Sequence, residues 1–216
     1  SYVIRNCKNL KNTTLGNRNR ERTGYTRFYN NTINGNLSIK SDNDKNWKFI
    51  VKNSSINGRC DSLIGSGLFY NCNINKSLDS SNTYTTALGT GEYINCTLSN
   101  KTGENQGGKY TNCNFKNITG NMHGTFDISN CTINNWNCYG GSYEPNYKIE
   151  NSILNNFQIQ LGYWHQGAKI FISDCTINNK DFLLKLPHYA MKKNIILKNM
   201  DLFLIGLHGP DILFYY

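Results

Sequence analysis

Rings able to stack on a sugar gather in one stretch of the chain. Trp136, Tyr139, Tyr143 and Glu144 fall together, followed by the run Tyr163-Trp164-His165 and then His188-Tyr189. Flat aromatic faces beside a few hydrogen-bonding groups suit sugar rings, which present apolar C–H faces and hydroxyl edges. These residues form the candidate glycan-binding set. Cleaving a glycosidic bond requires two carboxyl groups about 5 to 9.5 Å apart, and the 14 Asp and Glu residues form no paired motif from which to assign them. Catalytic residues are therefore left unassigned. No Cys-x-x-Cys pair and no Cys/His cluster at ligand spacing occurs, so neither a metal nor a cofactor is expected.

These residues lie between copies of a repeat. An Asn, or once an Asp, returns at Asn6, Asn30, Asn53, Asn71, Asn95, Asn112, Asn130, Asn151, Asp174 and Asn199. Two residues before it every copy is apolar, from Ile4 and Phe28 to Leu197; three residues after it all but Asn9 are apolar, from Ile33 to Leu202. Apolar positions in a strand alternate with period two, so the slip of one residue across the Asn marks a corner. Asn tolerates the left-handed backbone conformation that such a corner demands. A repeat of about 20 residues is too short for a strand plus a helix in each turn, and no segment carries a helical apolar period. The spacing predicts a solenoid of about ten coils, each of short parallel strands stacked at ~4.8 Å, making a rod roughly 45 to 50 Å long. Inside it the pattern places an internal Asn ladder, a mainly Cys/Ser ladder of small residues one residue later (Cys7, Asn31, Ser54, Cys72, Cys96, Cys113, Cys131, Ser152, Cys175, Met200) and aliphatic-aromatic ladders on either side. His165 and His188 follow Ser152 and Cys175 at equal distance, so stacked coils bring the two histidines together.

This ladder pattern, which covers essentially all of the chain, resembles the right-handed parallel β-helix proteins of the pectin-lyase-like superfamily, closest in style to phage tailspike and tail-appendage proteins. The resemblance implies a shaft that recognises a bacterial surface polysaccharide, in a virion tail or at a cell surface, with three subunits side by side. A polysaccharide lyase or glycoside hydrolase on the same scaffold is the first alternative, and a purely structural adhesin or virion spacer the second. The lyase signature Arg-x-Pro-x-x-Arg and the Asn-Thr-Asp, Asp-Asp, Gly-His-Gly and Arg-Ile-Lys set of polygalacturonases are missing.

Composition sets further bounds. One domain spans 1–216, read as a piece of a longer chain, and its apolar segment 203–216 is expected to cap the rod or contact another subunit. That segment is too short to cross a bilayer, so no membrane insertion is expected. Eight cysteines are even in number, yet side chains in one ladder point the same way, whereas a disulfide needs converging Cβ vectors. Free thiols are expected. Sequons at ladder positions such as Asn30 and Asn130 are read as by-products of the repeat, because a glycan there would block an inward-facing side chain. A net charge of +9 favours an anionic partner such as an acidic capsule. Nucleic acid is not favoured, since no recognised motif accompanies the charge.

Overall fold

The computed structural model describes residues 1–17, 24–41, 47–58, 60–62, 67–75, 86–88, 90–102, 104–140, 146–161, 168–178, 183–185, 195–198 and 201–202. It is an all-β parallel solenoid, with no helix among the described residues. One face is a sheet of ten parallel strands that follow one another in chain order, from Tyr2–Arg5 through Thr125–Ser129 to Ile195–Lys198. The remaining faces share a second, 15-stranded sheet. Each successive coil places one strand in the ten-stranded sheet, so ten rungs stack along the rod. Connections such as 18–23, 76–85 and 162–167 fall outside the described residues, as does segment 203–216 with the cap or subunit contact expected of it.

The register is the one the repeat dictates. The residue two before the corner pairs with its counterpart in the next coil at every step: Ile4 with Phe28, Phe28 with Val51, Val51 with Phe69, and so on through Tyr93, Tyr110, Ile128, Ile149 and Ile172 to Leu197. Beyond the corner Ile33, Ile56, Ile74, Leu98, Phe115, Ile133, Leu154, Ile177 and Leu202 form a second column. From Phe28 to Ile172 and from Ile33 to Ile177 both columns are buried. Stacking puts like on like, and the rings of Phe69, Tyr93 and Tyr110 lie nearly parallel with centroids 4.7 and 4.9 Å apart.

Each described corner residue, from Asn6 to Asp174, has φ between 49° and 59°. The side-chain direction corrects the expectation of an internal Asn ladder. Corner side chains are exposed throughout, because a residue in the left-handed conformation reverses the pleat and turns its Cβ outward. Their mutual bonds are few and long, as from Asn30 Nδ2 to Asn6 Oδ1 at 3.3 Å and from Asn71 Nδ2 to Asn53 Oδ1 at 3.4 Å. The sequon asparagines at corners therefore face solvent, where a glycan would not block the core.

The residue after the corner does the inward work. Its backbone N–H cannot continue the strand ladder, and the side chain one coil further on accepts it. Cys7 N–H donates to Asn31 Oδ1 at 2.8 Å, Asn31 N–H to Ser54 Oγ at 3.1 Å, Cys113 N–H to Cys131 Sγ at 3.3 Å and Cys131 N–H to Ser152 Oγ at 3.0 Å. The N–H groups of Ser54, Cys72, Cys96 and Ser152 meet the sulfurs of Cys72, Cys96, Cys113 and Cys175 in the same way. The hydroxyl or thiol in turn donates to the carbonyl two residues back, as Ser54 does to Lys52 at 2.8 Å and Cys131 to Ser129 at 3.2 Å. Cys, Ser and Asn share this column because it requires a small side chain that accepts a hydrogen bond. The cysteines are thus bonded partners and not merely small apolar fillers.

A second Asn ladder was not expected. Asn100, Asn117, Asn135 and Asn156 also have positive φ and sit five residues beyond the first corner. Pairing continues through them, so Asn114–Met122, Thr132–Gly140 and Ile153–Gln160 each run across two faces as one long strand. Their exposed amides form a regular chain: Asn156 donates to Asn135 at 2.8 Å, and Asn135 to Asn117, Asn117 to Asn100 and Asn100 to Asn75 at 2.9 Å each. A shorter piece links Asn57, Asn34 and Asn9.

Two outcomes test this account. Cys131→Ala should destabilise the protein by about 1 to 3 kcal/mol, since the buried Cys113 N–H loses its acceptor, while Cys131→Ser should stay within about 1 kcal/mol of the parent in a melting experiment. All eight cysteines are free; Cys7 is half-buried and the other seven, Cys60 and Cys138 included, are buried. Thiol titration of the folded protein should therefore label Cys7 alone, and all eight after denaturation.

Candidate functional site

Of the aromatic residues singled out in the sequence, the structure describes two, and it separates them. Trp136 and Tyr139 both lie on the strand Thr132–Gly140, which alternates inward and outward after Asn135. Trp136 points in. It is 1% exposed, pairs in register between Ile118 and Phe157, and packs against Phe115 at 5.3 Å and Phe157 at 5.9 Å between centroids. Trp136 therefore leaves the ligand-binding set, because the second corner fixes its phase toward the core. Ile118, Trp136 and Phe157 each stand six residues after their corner Asn, a regularity from which this burial was readable. Tyr143, Glu144, Tyr163, Trp164, His165, His188 and Tyr189 lie outside the described residues.

Tyr139 points out and is 48% exposed. Its strand runs between Asn114–Met122 and Ile153–Gln160, and register places Asn121 and Gln160 on either side of the ring. One step back along the strands lies a parallel row of Thr119, Asn137 and Gln158. Neighbouring rows in a sheet are ~4.8 Å apart across strands and roughly 7 Å apart along them. The ring thus stands in a flat field of four carboxamides and one hydroxyl. None of the amides of Asn121, Asn137, Gln158 and Gln160 bonds a protein group among the described residues, in contrast to the amides of the Asn ladders. A carboxamide offers two donors and an acceptor. No Asp or Glu occurs on these three strands.

Carboxylates appear on the ten-stranded sheet, alternating with lysines. Glu92, Lys109, Asp127 and Lys148 follow one another in one register column. Lys109 pairs with Glu92 at 3.4 Å and Lys148 with Glu150 at 2.6 Å. The Glu150 carboxylate beside Lys148 raises that ammonium above its ordinary value. Glu92 and Asp127 stand two rungs apart, ~9.6 Å, at the outer limit for an inverting pair, and Lys109 occupies the rung where a glycosidic bond would sit. This column is an ion-pair row. Among the described residues no group of three or more His, Cys, Asp or Glu could hold a metal ion.

One titratable group lies in the core itself. Lys101 shares the inward column of Ile118 and Trp136, is fully buried, and donates from Nζ to the carbonyl of Gly58 at 2.6 Å. Burial lowers its pKa from 10.5 to about 8. A lowered lysine pKa is a familiar property of catalytic amines, but this amine is fully buried and donates to the Gly58 carbonyl, which makes its role structural.

Fold and site together define a parallel β-solenoid that carries a flat polar flank with one exposed ring. Compared with known proteins, the chain matches no family model, no curated protein and no solved structure.

Lys101 gives the protein a measurable pH dependence. Between pH 8 and 10.5 the unfolded chain holds a proton that the buried amine has released, so stability rises with pH across this window. The full effect is roughly 3 kcal/mol, at 1.36 kcal/mol per pKa unit. Comparison with Lys101→Met cancels the tyrosine and cysteine ionisations of the same range. Denaturant titrations should show the parent gaining on the variant by about that amount from pH 7 to pH 11. A constant difference between the two would mean the amine titrates normally.

Proposed function

We propose that the protein is a non-enzymatic recognition shaft, built in the manner of a phage tailspike or tail appendage, that binds a bacterial surface glycan through the Tyr139 flank. The observation that carries this reading is the exposed Tyr139 ring standing among four carboxamides that bond no protein group among the described residues. A ring stacks on the C–H face of a sugar and the amides meet hydroxyls on either side. A flat sheet suits an extended polymer crossing several strands better than a small ligand, which needs a concave pocket. The proposal extends to a setting in a virion tail or at a cell surface and to a homotrimer, in which segment 203–216 would form the subunit contact.

Binding to purified capsule, lipopolysaccharide and cell-wall polysaccharides on a glycan array tests the reading. Tyr139→Ala should weaken binding about 5- to 10-fold, corresponding to on the order of 1 kcal/mol for a stacked ring. Tyr139→Phe should retain most of it, and Asn137→Ala with Gln158→Ala should lose more than either change alone. Binding unaffected by all of these would remove the Tyr139 flank from the function. Release of reducing ends or of unsaturated sugars would establish the lyase or hydrolase alternative.

A further inference from the structure

The cations of the ten-stranded sheet differ in their neighbours, and Lys169 and Lys198, in its last coils, have no carboxylate partner among the described residues. Lys109 and Lys148, in the later coils, are neutralised by Glu92 and Glu150. Arg5, Arg27, Lys48 and Lys52, in the first three coils, have no carboxylate partner among the described residues. Their neighbours are tyrosines instead. Arg27 lies over the Tyr25 ring at 5.2 Å and Lys52 over the Tyr70 ring at 5.4 Å. Strand register makes the arrangement regular: Arg5 pairs with Tyr29, Tyr29 with Lys52 and Lys52 with Tyr70, so a single outward column reads cation, ring, cation, ring along the rod. Parallel rungs stand ~4.8 Å apart, which puts Arg5 and Lys52 roughly 10 Å from each other with Tyr29 midway. No cation covers the Tyr29 ring among the described residues.

We propose that this column, Arg5–Tyr29–Lys52 with Arg27 and Lys48 beside it, is a second binding site that takes an acidic polysaccharide lying along the rod axis. A sugar ring stacks over Tyr29 while carboxylates borne on alternate sugars meet Arg5 and Lys52, since two rungs match the length of an extended disaccharide. Arg5 can hold a carboxylate through two parallel N–H bonds and Lys52 as a point charge. Cations without a carboxylate partner among the described residues, on one flank of a chain whose formal net charge is +9, concentrate anions there. Single-stranded nucleic acid fits less well. It brings a phosphate with every nucleotide and needs open ring faces for its bases, and two of the rings here lie beneath Arg27 and Lys52. The site is separate from Tyr139, which belongs to the other sheet, and holds or fails independently of the reading given to that residue.

The test uses the full chain and hyaluronan oligosaccharides, which carry one carboxylate per disaccharide, with carboxyl-reduced hyaluronan and oligo(dT) as comparisons. Isothermal titration should show binding to hyaluronan that weakens with salt and is at least 10-fold weaker for the carboxyl-reduced polymer. Arg5→Gln with Lys52→Gln should lower the affinity at least 10-fold, and Tyr29→Ala several-fold. Lys109→Gln, Lys148→Gln and Tyr139→Ala should leave it unchanged. All these residues lie on the surface, and circular dichroism confirms the fold of each variant; should the double variant misfold, Arg5→Gln alone must still weaken binding. No binding to hyaluronan, or equal loss on neutralising the paired lysines, overturns the proposal, and tighter binding to oligo(dT) replaces it with a nucleic-acid site. Loss of glycan binding in Tyr139→Ala with hyaluronan binding intact separates the two sites.

Discussion

One hydrogen bond in each coil makes the solenoid possible. A single residue in the left-handed conformation turns the chain sharply enough to close a coil of about 20 residues, but it leaves the next N–H facing inward without a carbonyl. A buried orphan of this kind costs about 1 to 3 kcal/mol, and it would recur in every coil. The side chain at that same position in the following coil supplies the missing acceptor, from Asn31 onto Cys7 to Cys175 onto Ser152. Because acceptor and donor belong to equivalent residues of adjacent coils, the bond fixes register as well as satisfying the backbone. Ile4 to Leu197 and Ile33 to Leu202 fall above one another as a consequence.

The same position explains a composition otherwise at odds with a core. Burial raises the Cys175 thiol above its ordinary value. Neutral thiols and hydroxyls can alternate there freely, since each donates once and accepts once. Lys101 shows the limit of that tolerance. A charge-bearing group in an aliphatic column survives by giving its ammonium to the Gly58 carbonyl and by yielding its proton more readily than a free lysine.

Much of the fold was readable in the sequence, and the exceptions have physical causes. Apolar positions at −2 and +3 around each Asn set register because hydrophobic period is a property of the chain alone. Period-two counting points the Asn side chains inward because it carries the strand phase onto the corner, whereas the left-handed residue reverses it. The second corner leaves little trace in the sequence because Asn100, Asn117, Asn135 and Asn156 serve only four coils and stand among many other asparagines. Without it Trp136 is misplaced, its phase being set by the second corner, while Tyr139 still falls outside. The basic column from Arg5 to Tyr70 was hidden for a different reason: its members are about 20 residues apart, and only coil stacking makes them neighbours.

Hydrogen bonds between coils run along the rod, so a pull on its two ends loads them in series. Such a chain of links is as strong as its weakest rung. The second Asn ladder is continuous from Asn75 to Asn156 and again from Asn9 to Asn57, but no amide bond joins Asn57 to Asn75. Beside that gap Gly58 packs so tightly on the coil before it that an added Cβ would stand 2.2 Å from the Gly35 carbonyl oxygen. Across that gap the buried Lys101 reaches two coils back to the Gly58 carbonyl, so axial tension there falls on this bond and on the strand pairing of Ser55 with Asn73 and Ile56 with Ile74.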